Sequence, residues 1–138
     1  MVRDVAARKR PLQAIGDLEM ALLELLWSAG EADVHGAHAA VGRRRGITPN
    51  TVGSALERLY RKGLAAREKV SHAYRYRPDL SREAFAARRM LDAVGGSQTL
   101  AEAGLLAAFV DLVANVDAGS LDRLEDLIAE RRGRRGRR

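Results

Sequence analysis

The segment TPNTVGSALERLYRKG, residues 48–63, decides how the rest of this 138-residue sequence is interpreted. Threonine is a favoured N-cap, and proline suits the first helical position because its missing N–H would have no partner there. A glycine such as the one at position 63 commonly ends a helix. The segment therefore predicts one capped helix over residues 49–62. Its apolar arc on a helical wheel consists of Val52, Ala55, Leu56, Leu59 and Tyr60.

The polar arc of this helix, with Glu57 at its edge, changes in character along the helix. Short side chains near its start let the backbone approach base edges, where asparagine can read adenine and a threonine methyl can contact thymine. Long cationic side chains near its end can reach phosphates. An ordinary solvated helix face is the alternative. The candidate base-reading residues are Asn50, Thr51 and Ser54, and the candidate phosphate contacts here are Thr48, Arg58, Arg61 and Lys62.

After Gly63 the hydrophobic period changes from that of a helix to the two-residue alternation of strands. Residues 64–70 and 74–80 flank a turn at Ser71-His72, and Pro78 ends the second run. This pattern predicts a two-stranded hairpin with Tyr74 and Tyr76 on one face. Its cations are expected to make one strand face positive, with His72 touching a groove or a phosphate, or else to be a charged edge that prevents strand pairing. They are Arg67, Lys69, Arg75 and Arg77, of which Lys69 and Arg75 are candidate phosphate contacts.

Two further helices are predicted before residue 48. Asp17 is expected to cap the first, which ends at Gly30, and Asp33 is expected to cap a shorter second helix. The sequence GRRRG, residues 42–46, is interpreted as a turn. Three helices followed by a hairpin predict a winged helix-turn-helix, in which the third helix is the reader and the hairpin is the wing. The fold class is therefore mainly α with a small β-hairpin wing.

The C-terminal part predicts a helical module. Ser81 should cap a fourth helix reaching about residue 94, Gly95-Gly96-Ser97 is a candidate linker, and two helices follow over residues 99–116 and 120–132. The apolar stripe of the last helix needs a cover, which is either the preceding helix or a partner chain. We favour a homodimer, because a two-helix segment has little core of its own. The candidate dimerisation residues are Leu105, Phe109, Leu112, Leu121, Leu124, Leu127 and Ile128.

Four regions are predicted in all. A flexible arm over residues 1–15 precedes a winged helix-turn-helix DNA-binding domain over 16–80. A helical dimerisation domain over 81–132 follows, and a disordered basic tail over 133–138 ends the chain. The arginines of the tail either add non-specific DNA affinity or only keep the chain soluble.

Composition limits the chemistry. The net charge of +6 and the pI of about 10.4 favour a polyanionic partner, either nucleic acid or an anionic membrane surface. The absence of cysteine excludes thiol nucleophiles, disulfides and thiolate metal sites. No phosphate-cradling glycine loop and no nucleophile–base set is evident, so neither an enzyme nor a cofactor is predicted. His35 and His38 have metal-compatible spacing but lack a third ligand, and ordinary histidines are favoured over a metal site.

Localisation is predicted from hydropathy. The most apolar stretches, residues 18–27 and 100–116, are interrupted by acidic residues, and the N-terminus lacks an apolar signal core. A cytoplasmic protein is therefore expected.

Three stretches resemble a known family. GDLEMALLELLW, TPNTVGSALERLYRKGL and YRYRPDLSREAF are similar to the corresponding stretches of the BlaI/MecI penicillinase-repressor family, within a resemblance that runs from about residue 12 to residue 94. The resemblance implies a homodimer of winged helices that represses transcription from a palindromic operator. By the matching motif, Asn50, Thr51 and Ser54 would face bases. Phosphates would be contacted by Arg58, Arg61 and Lys62, with Lys69 and Arg75 from the wing.

The sequence departs from the family in three places. The wing tip lacks the usual glycine or asparagine, and the cysteine cluster of the copper-sensing branch is missing, so that mechanism is excluded. Some members are inactivated when a membrane sensor protease cuts an Asn-Phe bond, and the best match here is Ala108-Phe109. A protease partner is therefore an expectation from the resemblance alone. The alternative functions are a sequence-nonspecific nucleic-acid-binding basic protein and a protein-interaction module.

Overall fold

The computed structural model describes residues 14–136, which divide into two units after Asp92. Because the description begins at residue 14, the predicted N-terminal arm lies almost wholly outside it. The elements of the first unit are α1 (Asp17–Ala29), α2 (Val34–Ala37), α3 (Pro49–Arg61), β1 (Ala65–Val70), β2 (Ala73–Pro78) and α4 (Arg82–Ala93). Helices with a single antiparallel hairpin confirm the predicted fold class.

Helix α3 packs against α1 through the apolar arc expected from the wheel. Val52, Ala55, Leu56 and Leu59 have no exposed surface, and neither have the α1 leucines 22, 23 and 26. Burying a side chain of this size contributes about 1.5–3 kcal/mol, so this contact is the main source of stability in the first unit. Tyr60 is the exception, because it is 40% exposed and stacks on the wing instead of joining the core.

Three of the four predicted helix caps are present. Gly36 N donates to Asp33 Oδ1 at 2.7 Å, Thr51 N to Thr48 Oγ1 at 3.2 Å, and Ala84 N to Ser81 Oγ at 3.0 Å. The prediction for Asp17 is wrong. The N-cap of α1 is Gly16, and Asp17 is the first helical residue. An acidic side chain in the first turn interacts favourably with the helix dipole. Aspartate is therefore common at this position as well as at the N-cap, and the sequence alone did not distinguish the two.

The segment between α2 and α3 is a continuous helical path. A π turn at His38–Gly42 and a 3₁₀ turn at Arg43–Arg45 follow α2 before Gly46, at φ 65°, reverses the chain. The predicted turn over residues 42–46 is therefore helical up to Arg45. The Nε2 atom of His38 lies 2.8 Å from the carbonyl oxygen of Ile47 and ties the two sides of the reversal together.

Gly42 ends the π turn, lies close to Val52 of α3, and is buried. A Cβ atom added there would lie 2.7 Å from Val52 Cγ2 and 2.8 Å from His38 Cδ2. We expect Gly42→Ala to lower the free energy of unfolding by about 1–3 kcal/mol, as overpacking does in a filled core. The measurement is urea unfolding followed by the fluorescence of Trp27, the only tryptophan.

Gly53→Ala is the matched control for this prediction. The added Cβ atom would meet Val34 Cγ2 at an ordinary 3.5 Å. Alanine is also the better helix former, so this variant should be as stable as the parent protein or more stable. Equal unfolding midpoints for the two variants would contradict the close approach at Gly42.

The wing is an antiparallel pair in which Arg67 faces Tyr76, Lys69 faces Tyr74 and Glu68 faces Arg75. Directly paired residues share a face of the sheet. Arg67 and Lys69 therefore lie with the tyrosines, whereas Arg75 lies on the other face. The prediction of a single cationic face is wrong. The register of the two strands places the cations of β1 on one face of the hairpin and those of β2 on the other.

The wing tip has no glycine, and Ser71 takes the left-handed conformation at φ 59°. L-residues other than glycine, asparagine and aspartate visit this region at a cost of about 1–2 kcal/mol. At its other end the hairpin joins the core, because Tyr76 is buried and its backbone bonds to Ala32 in both directions, at 2.8 and 2.9 Å.

The start of α4 belongs to the core of the first unit. Phe85 is 3% exposed, and its ring centroid lies 5.4 Å from that of Trp27. The Nε1 atom of Trp27 donates to the carbonyl oxygen of Leu80 at 2.9 Å. The sequence had placed this helix in the dimerisation domain, from residue 81 onward.

The second unit contains α5 (Ser97–Leu100), α6 (Ala103–Val116) and α7 (Ala118–Gly136). The single helix predicted over residues 99–116 is interrupted, because Glu102 is extended and begins α6. Helix α7 continues to Gly136, where a disordered tail was predicted from residue 133. Arginine is a good helix former, and an ion pair of 2.9 Å joins Arg134 to Glu130 one turn earlier.

Asp117 connects α6 to α7. Its carboxylate accepts hydrogen bonds from Ser120 Oγ at 2.9 Å, Arg123 Nη2 at 2.6 Å and the backbone N–H of Gly119 at 3.1 Å. These bonds, led by that from Ser120, hold the pKa of Asp117 below its usual value. The start of α7 is therefore well defined. None of the helices in residues 14–136 is long and apolar enough to cross a membrane.

Candidate nucleic-acid interface

The exposed side of α3 carries the predicted polar arc. Asn50, Ser54, Arg58 and Arg61 are exposed and line one open groove beside the start of α2. The side chain of Asn50 has no hydrogen-bond partner in the described chain, so its amide is free to bind a base edge. Thr51 is exposed too, but its hydroxyl lies 3.1 Å from that of Thr48, within the helix cap.

Lys62 is placed differently from the other candidates. Its side chain is only 14% exposed, and Nζ donates to Glu19 Oε2 and to the carbonyl oxygen of Ala14, both at 2.6 Å. The ammonium group is thus already neutralised inside the fold. In this structure Lys62 attaches α3 to α1, and the predicted phosphate contact would require it to leave Glu19.

Glu19 explains this placement. It is the one charged residue among the buried residues of the described chain, at 7% exposure, and it lies in the first turn of α1. Its second oxygen accepts a hydrogen bond from Arg58 Nε at 3.3 Å. The Arg58 side chain remains 47% exposed, so its outer nitrogens can still reach a phosphate.

A second cluster attaches the wing to α3. The carboxylate of Glu57 accepts hydrogen bonds from Arg67 and from the Tyr76 hydroxyl, the latter at 3.1 Å. The Arg67 guanidinium lies 4.1 Å from the centroid of the Tyr60 ring and 4.3 Å from that of Tyr74. Cation–π contacts on both rings and an ion pair hold Arg67 against α3. The wing cluster, which consists of Glu57, Tyr60, Arg67, Tyr74 and Tyr76, therefore fixes the hairpin relative to α3.

The ionisation of the wing cluster supports this attachment. Burial opposes the charge on Glu57, but hydrogen bonds from Arg67 and Tyr76 outweigh it and hold the pKa of Glu57 below its usual value. The bond to Glu57 raises the pKa of Arg67. Burial, reinforced by the bond to Glu57, raises the pKa of Tyr76. At neutral pH the carboxylate and the guanidinium are therefore both charged, and the phenol is neutral.

The remaining predicted phosphate contacts are accessible to different degrees. Lys69 is exposed on the wing, and the Arg61 side chain is 74% exposed, with its Nε 3.9 Å from Glu57. Arg75 pairs with Glu31 at 3.1 Å while 46% exposed. Exposed ion pairs of this kind are weak, so Arg75 can exchange its partner for a phosphate. His72 is exposed at the wing tip.

Sequence reasoning missed Arg43, Arg44 and Arg45. All three are exposed in the 3₁₀ turn that leads into α3, and none of their side chains has a bonding partner in the described chain. The three consecutive arginines of GRRRG were a signal for phosphate binding. The segment was interpreted only as a turn, on account of its two glycines.

The two histidines with metal-compatible spacing lie in different surroundings. His35 is exposed, and His38 is engaged with Ile47. Across residues 14–136 there is no group of three acidic or histidine side chains that could hold a metal ion.

The second unit exposes most of the predicted dimerisation residues. Phe109, Leu112, Leu127 and Ile128 are 38–60% exposed, whereas Leu105, Leu121 and Leu124 are half-buried. None of the residues of α5, α6 or α7 is buried. The Ala108-Phe109 bond lies inside α6, whose hydrogen bonds would have to open before a protease could cut it.

Comparison with known proteins gives a matching family, a relative by sequence and similar solved structures. The family model for the penicillinase repressor matches residues 15–130. The chain is 34% identical over 128 residues to the transcriptional regulator BlaI of Mycobacterium tuberculosis, which covers 92% of this chain and 91% of the relative. Among solved structures it is similar to the DNA-binding domain of the repressor BlaI, with a TM-score of 0.48 and 19% identity over 54% of this chain and 92% of that one.

A second solved structure is a homodimeric winged helix-turn-helix DNA-binding domain from Mycobacterium bovis. The TM-score is 0.43 and the identity 20%, over 57% of this chain and 68% of that one. The family match extends across both units of the structure.

Proposed function

Because the chain belongs to the penicillinase repressor family, we propose that it is a transcriptional repressor that binds double-stranded DNA as a homodimer at a palindromic operator. The observation that carries the proposal is the exposed polar side of α3, held against α1 on its other side. Such a helix can enter a major groove with its first turns, as reading helices of this fold class do.

Base reading and phosphate binding are divided between different side chains. Asn50 and Ser54 line the groove near the start of α3 and are proposed to face bases, with Thr51 beside them. Arg58 and Arg61 are proposed to bind phosphates. Thr48, Lys69 and Arg75 are further proposed phosphate contacts. Base contacts would determine the operator sequence, and phosphate contacts would supply most of the affinity and its salt dependence.

The second unit is proposed to join two copies. A pair of helices with no buried residue and a row of exposed leucine, isoleucine and phenylalanine side chains has too little core to stand alone. A second copy supplies the missing cover, and a two-fold dimer would place two reading helices on half-sites one or two turns apart, at about 10–10.5 bp per turn.

The experiment that tests the function is selection from genomic DNA. Fragments retained by the purified protein at two salt concentrations are sequenced, and enrichment of one inverted repeat is the expected result. Retention without sequence preference would favour a sequence-nonspecific nucleic-acid-binding protein. No retention at moderate salt would favour a protein-interaction module.

Asn50→Ala tests base reading. We expect it to weaken binding to the selected operator by about 1–3 kcal/mol and to leave binding to a scrambled duplex nearly unchanged, because only a base contact distinguishes the two sequences. Arg61→Ala is the control, and it should weaken both complexes alike. The measurement is a titration of each duplex followed by fluorescence anisotropy. An equal loss on both duplexes for Asn50→Ala would remove its base-reading role.

Two finer points rest on the resemblance. A membrane sensor protease that acts at Ala108-Phe109 is proposed as a regulatory partner, and cleavage there would require α6 to open. The protein is proposed to work in the cytoplasm, where the chromosome is accessible. The family is one of transcriptional repressors, and no catalytic role is proposed.

A further inference from the structure

We propose that Arg43, Arg44 and Arg45, hereafter the arginine turn, form the main phosphate-binding site of this protein, ahead of the cations on α3. The inference rests on the proposed DNA-binding function and adds a site to it. Three observations carry it: the availability of these charges, the attachment of the turn to α3, and the direction of its side chains.

The first observation is the charge balance of the DNA-binding side. Arg58 and Lys62 share Glu19, Arg61 is close to Glu57, and Arg75 is paired with Glu31. Each of these cations must share or leave a carboxylate before it can bind a phosphate. Lys69 on the wing has no such partner in the described chain, but it contributes one charge where the arginine turn contributes three. The arginine turn has no such carboxylate in the described chain, so its full charge is available.

The second observation is the rigid link between the turn and α3. Gly46 reverses the chain in the left-handed conformation, and Thr48 then caps α3. Two contacts hold the turn in place. His38 bonds to the carbonyl oxygen of Ile47, and Gly42 packs on Val52. A helix that enters the major groove therefore brings the arginine turn to the backbone that borders the groove. Groups at that position bind phosphate and do not read bases.

The third observation limits how many phosphates can be bound. A 3₁₀ turn has three residues per turn, so successive side chains point in directions roughly 120° apart. All three guanidinium groups cannot face one strand at once. Two contacts per subunit are expected, and the planar guanidinium suits bidentate binding of phosphate oxygens.

The test is the salt dependence of binding to a labelled random-sequence duplex of about 30 bp, long enough for a dimer on two adjacent turns. Each lost phosphate contact lowers the slope of log affinity against log salt by about 0.9. We expect the triple variant R43Q/R44Q/R45Q to lose nearly two slope units per subunit that contacts the duplex. At ~0.1 M salt, this corresponds to an affinity about 60-fold weaker per subunit.

Two further variants serve as controls. R131Q/R132Q/R135Q removes the same charge from exposed positions of α7 and should change the slope little. R43K/R44K/R45K keeps the charge and should restore most of the slope. Urea unfolding of all three variants should match the parent protein, because none of the six arginines is buried.

The outcomes separate this inference from the proposed function. If the parent protein binds its selected operator and R43Q/R44Q/R45Q keeps the parental slope, the arginine turn is not the main site and the function stands. If the α7 variant loses as much slope or more, the C-terminal arginines dominate and the inference is overturned. If the parent protein retains no duplex but binds anionic phosphatidylserine vesicles through the arginine turn, both the inference and the function are overturned.

Discussion

Replacing Ile128 with aspartate should abolish the proposed homodimer and weaken binding to the selected operator by about 10²–10⁴-fold. Ile128 is 50% exposed on α7, next to Leu127, which is 51% exposed. A partner chain would bury both, and an unpaired carboxylate in that contact would be desolvated without compensation. Operator affinity would fall with the dimer, because joining two reading domains gives an avidity gain of about 10²–10⁴ that separate monomers lack.

The measurements are sedimentation for the oligomeric state and anisotropy titration for the operator. Ala129→Asp is the matched control, since it adds the same charge at an exposed position that lies about 100° round α7 from Ile128 and about 160° from Leu127. It should leave both the dimer and the affinity unchanged. A dimer that persists in Ile128→Asp would show that the exposed stripe of α7 is not the dimer contact.

Glu19→Leu should lower the free energy of unfolding of the first unit by about 3 kcal/mol, the lower end of the range for removing one partner of a buried ion pair. The substitution leaves the Lys62 ammonium, on a side chain that is 14% exposed, without its carboxylate. It also removes the partner of Arg58 Nε. Urea unfolding followed by Trp27 fluorescence reports on this unit, because that side chain packs on Phe85.

The double variant Glu19→Leu, Lys62→Met separates the ion pair from the packing. Replacing both partners of a buried pair by apolar groups is often neutral or stabilising, so much of the lost stability should return. If Glu19→Leu alone unfolds at the parental midpoint, the carboxylate does not hold α3 to α1. In that case Lys62 would again be available as a phosphate contact.

The elements of the first unit were predictable because their signals are local. The cap at Thr48, the proline at the first position and the glycine at 63 define α3 from neighbouring residues alone, and its bounds in the structure are Pro49–Arg61. Alternation in β1 and β2 likewise predicted the hairpin. The error at Asp17 was also local, because an acidic residue favours both the cap and the first turn of a helix.

The partners of the cations could not be predicted in the same way. Glu19 and Lys62 are 43 positions apart, and Glu57 and Arg67 meet only because the hairpin folds back on α3. No sequence period connects such pairs. The environment of Tyr60 could not be predicted either. Its place on the apolar arc predicted a core position, but in the structure its ring contacts Arg67 of the wing.

The sequence by itself determined the winged helix-turn-helix and the polar side of α3, because caps, periodicity and turn residues act within a few positions of one another. Only the tertiary structure decided which positive charges are available to DNA. It buried Lys62 against Glu19, held Arg67 to Glu57, and left Arg43, Arg44 and Arg45 without a carboxylate in the described chain. The physical reason is that the availability of a charge depends on which acidic group folding brings beside it, and that group lies far away along the chain.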